Sequence, residues 1–219
     1  MPCPPEIKQL IEAELSTDRA FDDVTTRLLE AKFPACEAVV KTKEKGVFCG
    51  EVVVAALKQI FDGEAEFHCL AYDGKIVEPG TSVVQIKTTV GLCLTIERTL
   101  INFLAHLSGV ATLTKKFVDQ VEGYQTKILA TRKTLPGLRE LQLMAVRAGG
   151  GHIHRRNLSD GILIKDNHLA FLAEQIRPTT VFPACTWRLP VLAPMELETA
   201  RIKCASRTSC GVCSFSPPP

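Results

Sequence analysis

The stretch that most restricts the fold lies between residues 128 and 165. An apolar run suited to a buried strand, Ile128-Leu129-Ala130-Thr131, is followed by helical spacing from Leu138 to Val146. Gly149-Gly150-Gly151 closes that helix, and a second apolar run follows in Gly161-Ile162-Leu163-Ile164-Lys165. Strand, helix and strand at these lengths predict βαβ crossovers, which need a parallel sheet or barrel. The back half of the chain is therefore predicted to be α/β.

The front half carries mixed periods and reads as α+β. Residues 6–15 have helical spacing, with a turn after them at Ser16-Thr17-Asp18. Phe21-Asp22-Asp23-Val24-Thr25-Thr26 suits an N-cap entering a short helical turn. Ala38-Val39-Val40 and Gly46-Val47-Phe48-Cys49-Gly50 predict two short strands around a Lys-rich turn, and residues 51–61 return to helical spacing. Residues 65–90 alternate and contain the turn dipeptides Asp73-Gly74 and Pro79-Gly80, so they predict a small β unit. From about Leu92 to Val121 the spacing predicts a long helix with a break near Ser108-Gly109. The expected domains are 1–104, 105–175 and an atypical tail, 176–219.

That tail departs in composition. It holds seven of the 13 prolines and four of the nine cysteines, with a single glycine, Gly211. Its best helical stretch is 195–203. Cys210-Gly211-Val212-Cys213 has CxxC spacing, but no second Cys or His pair accompanies it, so a zinc or redox role is disfavoured. Such a shift is expected where another reading frame or exon supplies the end. Cys36, Cys49, Cys69 and Cys93 are expected to be small buried hydrophobes.

Lys+Arg exceed Asp+Glu by 26 − 24 = +2, a balance that predicts no nucleic-acid partner. No apolar run approaches the ~18 residues that span a bilayer, so no membrane partner is expected. Met1-Pro2-Cys3-Pro4-Pro5-Glu6 has no secretory pattern, and the expected location is cytoplasmic.

Charge becomes lopsided between Thr131 and His168. Five Arg (132, 139, 147, 155, 156) and Lys133 and Lys165 face three acids, Glu140, Asp160 and Asp166. Thr131-Arg132-Lys133 and Lys165-Asp166-Asn167-His168 each fall where a predicted strand ends. Loops at the carboxyl ends of parallel strands converge on one face, where ligands bind. Cations gathered there predict a ligand with several negative charges, since Arg offers a planar fork and Lys a point charge. Arg139 and Arg147 are expected on the outer face of the helix; His154 is a better candidate than His106 or His68.

These residues also carry a resemblance. Ala130-Thr131-Arg132-Lys133-Thr134-Leu135-Pro136-Gly137-Leu138-Arg139 resembles the TRKT-PG-R signature of quinolinate phosphoribosyltransferases. Gly149-Gly150-Gly151-His152-Ile153-His154-Arg155 is similar to the family's glycine-rich HR segment, and Ile164-Lys165-Asp166-Asn167-His168 to its KDNH motif. Glu97-Arg98 through Asn102, Leu107-Ser108-Gly109-Val110-Ala111-Thr112 and Asp23-Val24-Thr25-Thr26 resemble its ER-LN, SGIAT and DVT elements. Their shared order and spacing, from residue 6 to about 174, give the resemblance its specificity.

The resemblance implies an N-terminal α/β sandwich followed by a partial α/β barrel of the type II phosphoribosyltransferase kind. It implies transfer of a phosphoribosyl group from phosphoribosyl pyrophosphate to quinolinate with decarboxylation, giving nicotinate mononucleotide, carbon dioxide and pyrophosphate in NAD biosynthesis. Mg²⁺ would accompany the pyrophosphate, with no organic cofactor; the acidic residues that the family supplies for ribose and metal are not found here, so no residue is assigned as a metal ligand. Arg132, His154 and Arg155 would hold the quinolinate carboxylates, and Arg98 would reach in from the other subunit of a homodimer. Lys133 and Lys165 would serve the phosphates and the departing pyrophosphate, and Thr131 would supply a hydroxyl donor.

Gln142-Leu143-Met144 stands where the family usually has Glu-Lys-Tyr, so any role of that Lys is lost. Arg156-Asn157 follows His154-Arg155 where small or apolar residues are common. After about Glu174 the family's acidic and glycine-rich elements are not found, so a truncated chain with impaired catalysis is an alternative. A molybdenum-transport-associated homologue is another, disfavoured by the KDNH motif. A lipoyl-like module at 65–90 lacks the exposed Lys such a module needs.

Overall fold

The computed structural model describes residues 3–28 and 33–175. In chain order these form α1 (Pro5–Thr17), α2 (Val24–Leu28), β1 (Ala35–Lys41), β2 (Gly46–Val47), α3 (Glu51–Ile60), β3 (Glu66–Cys69), β4 (Ile76–Val77) and β5 (Ser82–Thr89). They continue with α4 (Val90–Gln120), β6 (Leu129–Ala130), α5 (Arg139–Ala148), β7 (His152–Ile153) and α6 (Asp166–Gln175). The chain divides into a unit ending at Asp160 and a second beginning at Gly161.

The period-2 segments pair as an antiparallel sheet in the order β1-β5-β3. Register places Ala38 and Phe67 on either side of Ile86, and Val40 beside Val84, on the face that is buried. The opposite face is polar: Gln85 donates to Glu37, and Lys87 and His68 both approach Glu66. One buried and one polar face is what alternation along an antiparallel strand produces. Helices α1, α3 and α4 supply the second layer of this sandwich, through Ile7, Ile11, Leu15, Val53, Leu57, Ile96 and Leu100. The two strands expected around the Lys-rich turn are present but belong to different sheets, because β2 pairs with β4.

Two short-range signals resolve as capping. Asp23 accepts from the Thr25 amide at 2.9 Å and from the Thr26 hydroxyl, opening α2. Those bonds, the Thr26 hydroxyl first, hold its carboxyl below the usual carboxylate range. Helix α3 is capped from a distance: Asp73 accepts from the Gly50 and Glu51 amides at 2.6 and 3.0 Å, and Glu51 accepts from the Asp73 amide. The predicted turn Asp73-Gly74 is thereby tied to the start of a helix 22 residues away in sequence.

Helix α4 runs unbroken through Ser108-Gly109, contrary to the predicted break. Its buried stripe (Ile96, Leu100, Phe103, Leu104, Leu107, Ala111, Thr114) continues on both sides of Gly109, which itself points into open space. Packing along the stripe outweighs the ~1 kcal/mol that a helical glycine costs. The stripe also corrects the reading that no run approaches membrane-spanning length. Val90–Gln120 is long and apolar enough by composition, yet its buried side faces the sheet and α5 as a core helix does.

Ser108 and Thr112 have a use inside this helix. Thr112 Oγ1 accepts from the Val47 amide at 2.9 Å, and Ser108 Oγ from the Cys49 amide at 3.1 Å. The SGIAT-like element therefore satisfies the backbone where β2 leaves its sheet. Thr112→Val keeps the shape but leaves the part-buried Val47 amide without an acceptor. A loss of about 1–2 kcal/mol is expected in urea denaturation, with the m-value unchanged.

Among the cysteines, Cys49 is buried, and its thiol is pushed up by burial and by Asp73. Cys36 and Cys93 are half-buried. Cys69 is exposed on β3, against expectation, because its strand ends the sheet's edge. The tail 176–219, with its helical stretch and CxxC pair, lies outside the described residues.

Candidate functional site

The back half of the first unit is one β-α-β crossover: β6, α5 and β7, with β6 and β7 parallel. Leu129 faces His152 and Ala130 faces Ile153 in register, and the His152 amide bonds Ile128 O at 2.9 Å. The predicted strand at 128–131 is thus present. The second expected strand, 161–165, is not: residues 161–165 form neither helix nor strand, and Ile162 is 94% exposed. Among the described residues no neighbouring strand pairs with that run, and an apolar run alone cannot form a ladder. The parallel partner is instead the two-residue β7, which has too little sequence to show a period.

Glycines set the crossover against α4. A Cβ on Gly149 would lie 2.3 Å from Ala111 O and 2.7 Å from Thr114 Cβ, so the end of α5 rests on the α4 backbone. Gly150 turns with φ +86°. The glycine segment combines a close approach with a tight turn, and no phosphate cradle is needed to explain it.

Thr131-Arg132-Lys133 and His154-Arg155 leave the carboxyl ends of β6 and β7 at matching register positions. The Thr131 hydroxyl accepts from the Lys133 amide at 3.2 Å, an ST-turn that starts the loop. Leu135-Pro136-Gly137-Leu138 then closes with a 3.1 Å amide-to-carbonyl bond and Gly137 at φ +80°, the residues a type II turn requires. Arg139 is half-buried, and its Nε donates to the Thr134 hydroxyl at 3.3 Å, so it braces this loop; Arg147 is exposed as expected.

The electrostatics are unusual at two positions. Nε of Arg132 and Nε of Arg155 are both buried, with no hydrogen-bond partner among the described residues. Arg155 spends one terminal nitrogen on Leu158 O at 2.6 Å, which fixes its fork. Among the described residues no acid pairs with Arg132, Lys133, His154 or Arg155. Buried guanidinium donors normally find acceptors. Two left open, each just past the end of one of two paired strands, are donors that an anion would satisfy.

Lys133 and His154 are exposed beside them, and Arg98 is exposed on α4. Lys165 belongs to the second unit, directly before α6. Its amide donates to His168 Nδ1 at 3.0 Å, and its carbonyl accepts from the His168 and Leu169 amides. The KDNH element is thus a helix start, and the His168 ring acts as its cap.

The family model for the quinolinate phosphoribosyl transferase N-terminal domain matches residues 23–108, and that for the C-terminal domain matches residues 110–207. This chain belongs to the quinolinate phosphoribosyltransferase family. It is 39% identical over 174 residues to the nicotinate-nucleotide pyrophosphorylase (carboxylating) of Mycobacterium leprae, covering 77% of this chain and 60% of that protein. It is 35% identical over 165 residues to the probable enzyme of that name from Bacillus subtilis, covering 75% and 57%. The solved nicotinate-nucleotide pyrophosphorylase of Francisella tularensis superposes with a TM-score of 0.70 at 35% identity, covering 78% of this chain and 63% of that one. The chain thus spans about three-fifths of the length of these relatives. The α/β class of the quinolinate phosphoribosyltransferase family agrees with the mixed α/β elements described above.

Within that family pattern, two departures now have a structural meaning. Leu143 is 2% exposed in α5, so a buried apolar contact replaces a charge. Gln142 was legible only as a substitution, yet it bonds both the 131–138 loop and His106. The signal that marks it is one amide between buried Leu141 and Leu143.

Proposed function

We propose that this chain carries the quinolinate site of a carboxylating nicotinate-nucleotide pyrophosphorylase, an enzyme of NAD biosynthesis. The observation that carries the reading is the pair of buried, unpartnered Nε donors on Arg132 and Arg155 at the ends of β6 and β7. Quinolinate brings two carboxylates to that pair. Arg132, Arg155 and His154 hold them, and the Thr131 hydroxyl adds a donor. Lys133 serves the phosphates of phosphoribosyl pyrophosphate, a role that the family resemblance alone gives to Lys165 as well, and Arg98 acts across a homodimer. The names borne by the relatives support the same reaction.

The pyridine nitrogen bonds to the ribose C1 as pyrophosphate departs. Because charge is spread through an oxocarbenium-like state, catalysis rests on positioning and on fixed cations. The quaternised ring then accepts the electron pair left by departing carbon dioxide, and a proton replaces it, giving nicotinate mononucleotide. Among the described residues no three His, Cys, Asp or Glu side chains converge on a metal site, and the groups at the strand ends are cationic. In this reading Mg²⁺ accompanies the pyrophosphate of phosphoribosyl pyrophosphate, where it offsets the charge of the phosphates. The proposal places the enzyme in the cytoplasm.

Calorimetric titration with quinolinate and with nicotinate tests this. Saturable binding of quinolinate is expected, with nicotinate weaker by about 10- to 100-fold, because one guanidinium loses a charged hydrogen bond worth about 1.5–3 kcal/mol. Equal affinity for the two acids, or no binding of quinolinate by the folded chain, would sink the reading.

A further inference from the structure

We propose that Gln142 is a positioning residue of the anion site, holding the loop that carries Arg132 and Lys133 in place relative to α4. The inference rests on reading that loop as the quinolinate site. The Leu135 amide can only donate, so its 3.0 Å contact assigns the Gln142 oxygen to it. The amide nitrogen of Gln142 then faces His106 Nε2 at 3.0 Å. That nitrogen can only donate as well, so Nε2 of His106 accepts and the ring proton sits on Nδ1. A single directional relay results, running from the Leu135 N–H through the Gln142 amide to the His106 ring.

Each end of the relay has its own meaning. His106 follows Phe103 and Leu104 and precedes Leu107, all buried on α4, so its backbone belongs to a helix anchored in the core. The loop's other polar ties are to itself or to α5: Thr131 to Lys133, Leu135 to Leu138, and Thr134 to Arg139. Among the described residues Gln142 is the polar link that refers the loop to α4. Packing alone does not call for an amide here, because a half-buried amide is unfavourable unless both of its ends are bonded. Both are. Leu135 lies three residues after Arg132, close enough that slack at Leu135 moves the Arg132 fork.

Glutamate provides the discriminating variant. In Gln142→Glu one carboxylate oxygen still accepts from Leu135. The other accepts from His106 once the ring proton moves to Nε2. Gln142→Leu keeps the volume and removes both bonds.

The experiment uses the full chain labelled with nitrogen-15. Amide exchange at Leu135, the Nε–H resonance of Arg132 and the Kd for quinolinate are measured in each variant. In Gln142→Leu, Leu135 should exchange about tenfold faster relative to the amides of α5, the Arg132 signal should shift, and Kd should rise about tenfold. Gln142→Glu should restore all three to within about threefold, which a residue that only fills space would not do. Unchanged exchange at Leu135 overturns the proposal, as does faster exchange that moves neither the Arg132 signal nor Kd. So does a glutamate variant that behaves like leucine. If Gln142→Leu loses the fold, seen as fast exchange throughout α5, His106→Leu makes the same test from the α4 end. An unchanged Leu135 there is equally fatal. A wild-type chain that binds no quinolinate overturns the reading of the site, and the two resonances then decide the role of Gln142 by themselves.

Discussion

Gly149→Val is expected to unfold the crossover, and even Gly149→Ala should cost about 3 kcal/mol or more. The backbone at Gly149 has φ −77°, which any residue adopts, so strain in φ is not the reason. Space is the reason. The first carbon of any side chain would sit 2.3 Å from the Ala111 carbonyl oxygen and 2.7 Å from Thr114 Cβ, and backbone atoms in the middle of a buried helix cannot step aside. Relief requires α5 to lift off α4, which uncovers Leu141 and Ala145. Thermal denaturation should show Tm lower by about 6–12 °C for alanine, using about 2–4 °C per kcal/mol for a chain of this size. Gly109→Ala is the matched control, because Gly109 lies in the interior of α4 with nothing within 4 Å of a new Cβ. It should stabilise by about 0.5–1 kcal/mol. A Gly149→Ala protein as stable as wild type would show that the two helices do not meet as described.

Arg132→Ala is expected to weaken quinolinate binding by about 100-fold or more without lowering Tm. The first half follows from losing charged hydrogen bonds to a carboxylate, each worth about 1.5–3 kcal/mol. The second follows from the free state: the Arg132 Nε is already buried without a partner, so truncation removes a desolvated donor. Binding and stability should therefore move independently. Arg132→Lys keeps the charge but loses the planar fork, and should recover only part of the affinity. Calorimetry and a thermal melt on the same preparations check both halves. An unchanged Kd removes Arg132 from the site; a large drop in Tm would mean that its guanidinium has a structural partner.

Much of this protein can be read along the chain because the governing interactions are local. Alternation in residues 82–89 and helical spacing in 51–60 report which side of an element meets the core, and both elements form as predicted. Pro79-Gly80 and Pro136-Gly137 specify turns through φ alone, with both glycines at about +80°. Asp23 caps α2 from one residue away. The cations of the 131–155 segment are likewise legible, because a strand end followed by Arg-Lys or His-Arg is a pattern within a few residues.

What depends on partners distant in sequence is decided by the tertiary structure. Gly109 is a break by propensity and an ordinary helical residue once a continuous buried stripe runs past it. The apolar run 161–165 has the composition of a strand, but a strand exists only where a neighbour completes its hydrogen bonds, and His152–Ile153 takes that place beside β6. In sequence Asp73 marks a turn, Ser108 and Thr112 belong to a motif and Gln142 is a substitution, but each finds its use at a backbone or side chain brought to it by folding. The sequence by itself determined which residues are cationic, which turns form and which faces are apolar, since those follow from side-chain chemistry and local sterics. Only the tertiary structure decided that the Nε donors of Arg132 and Arg155 are buried without acceptors among the described residues, because burial and hydrogen-bond satisfaction are properties of everything that packs around an atom.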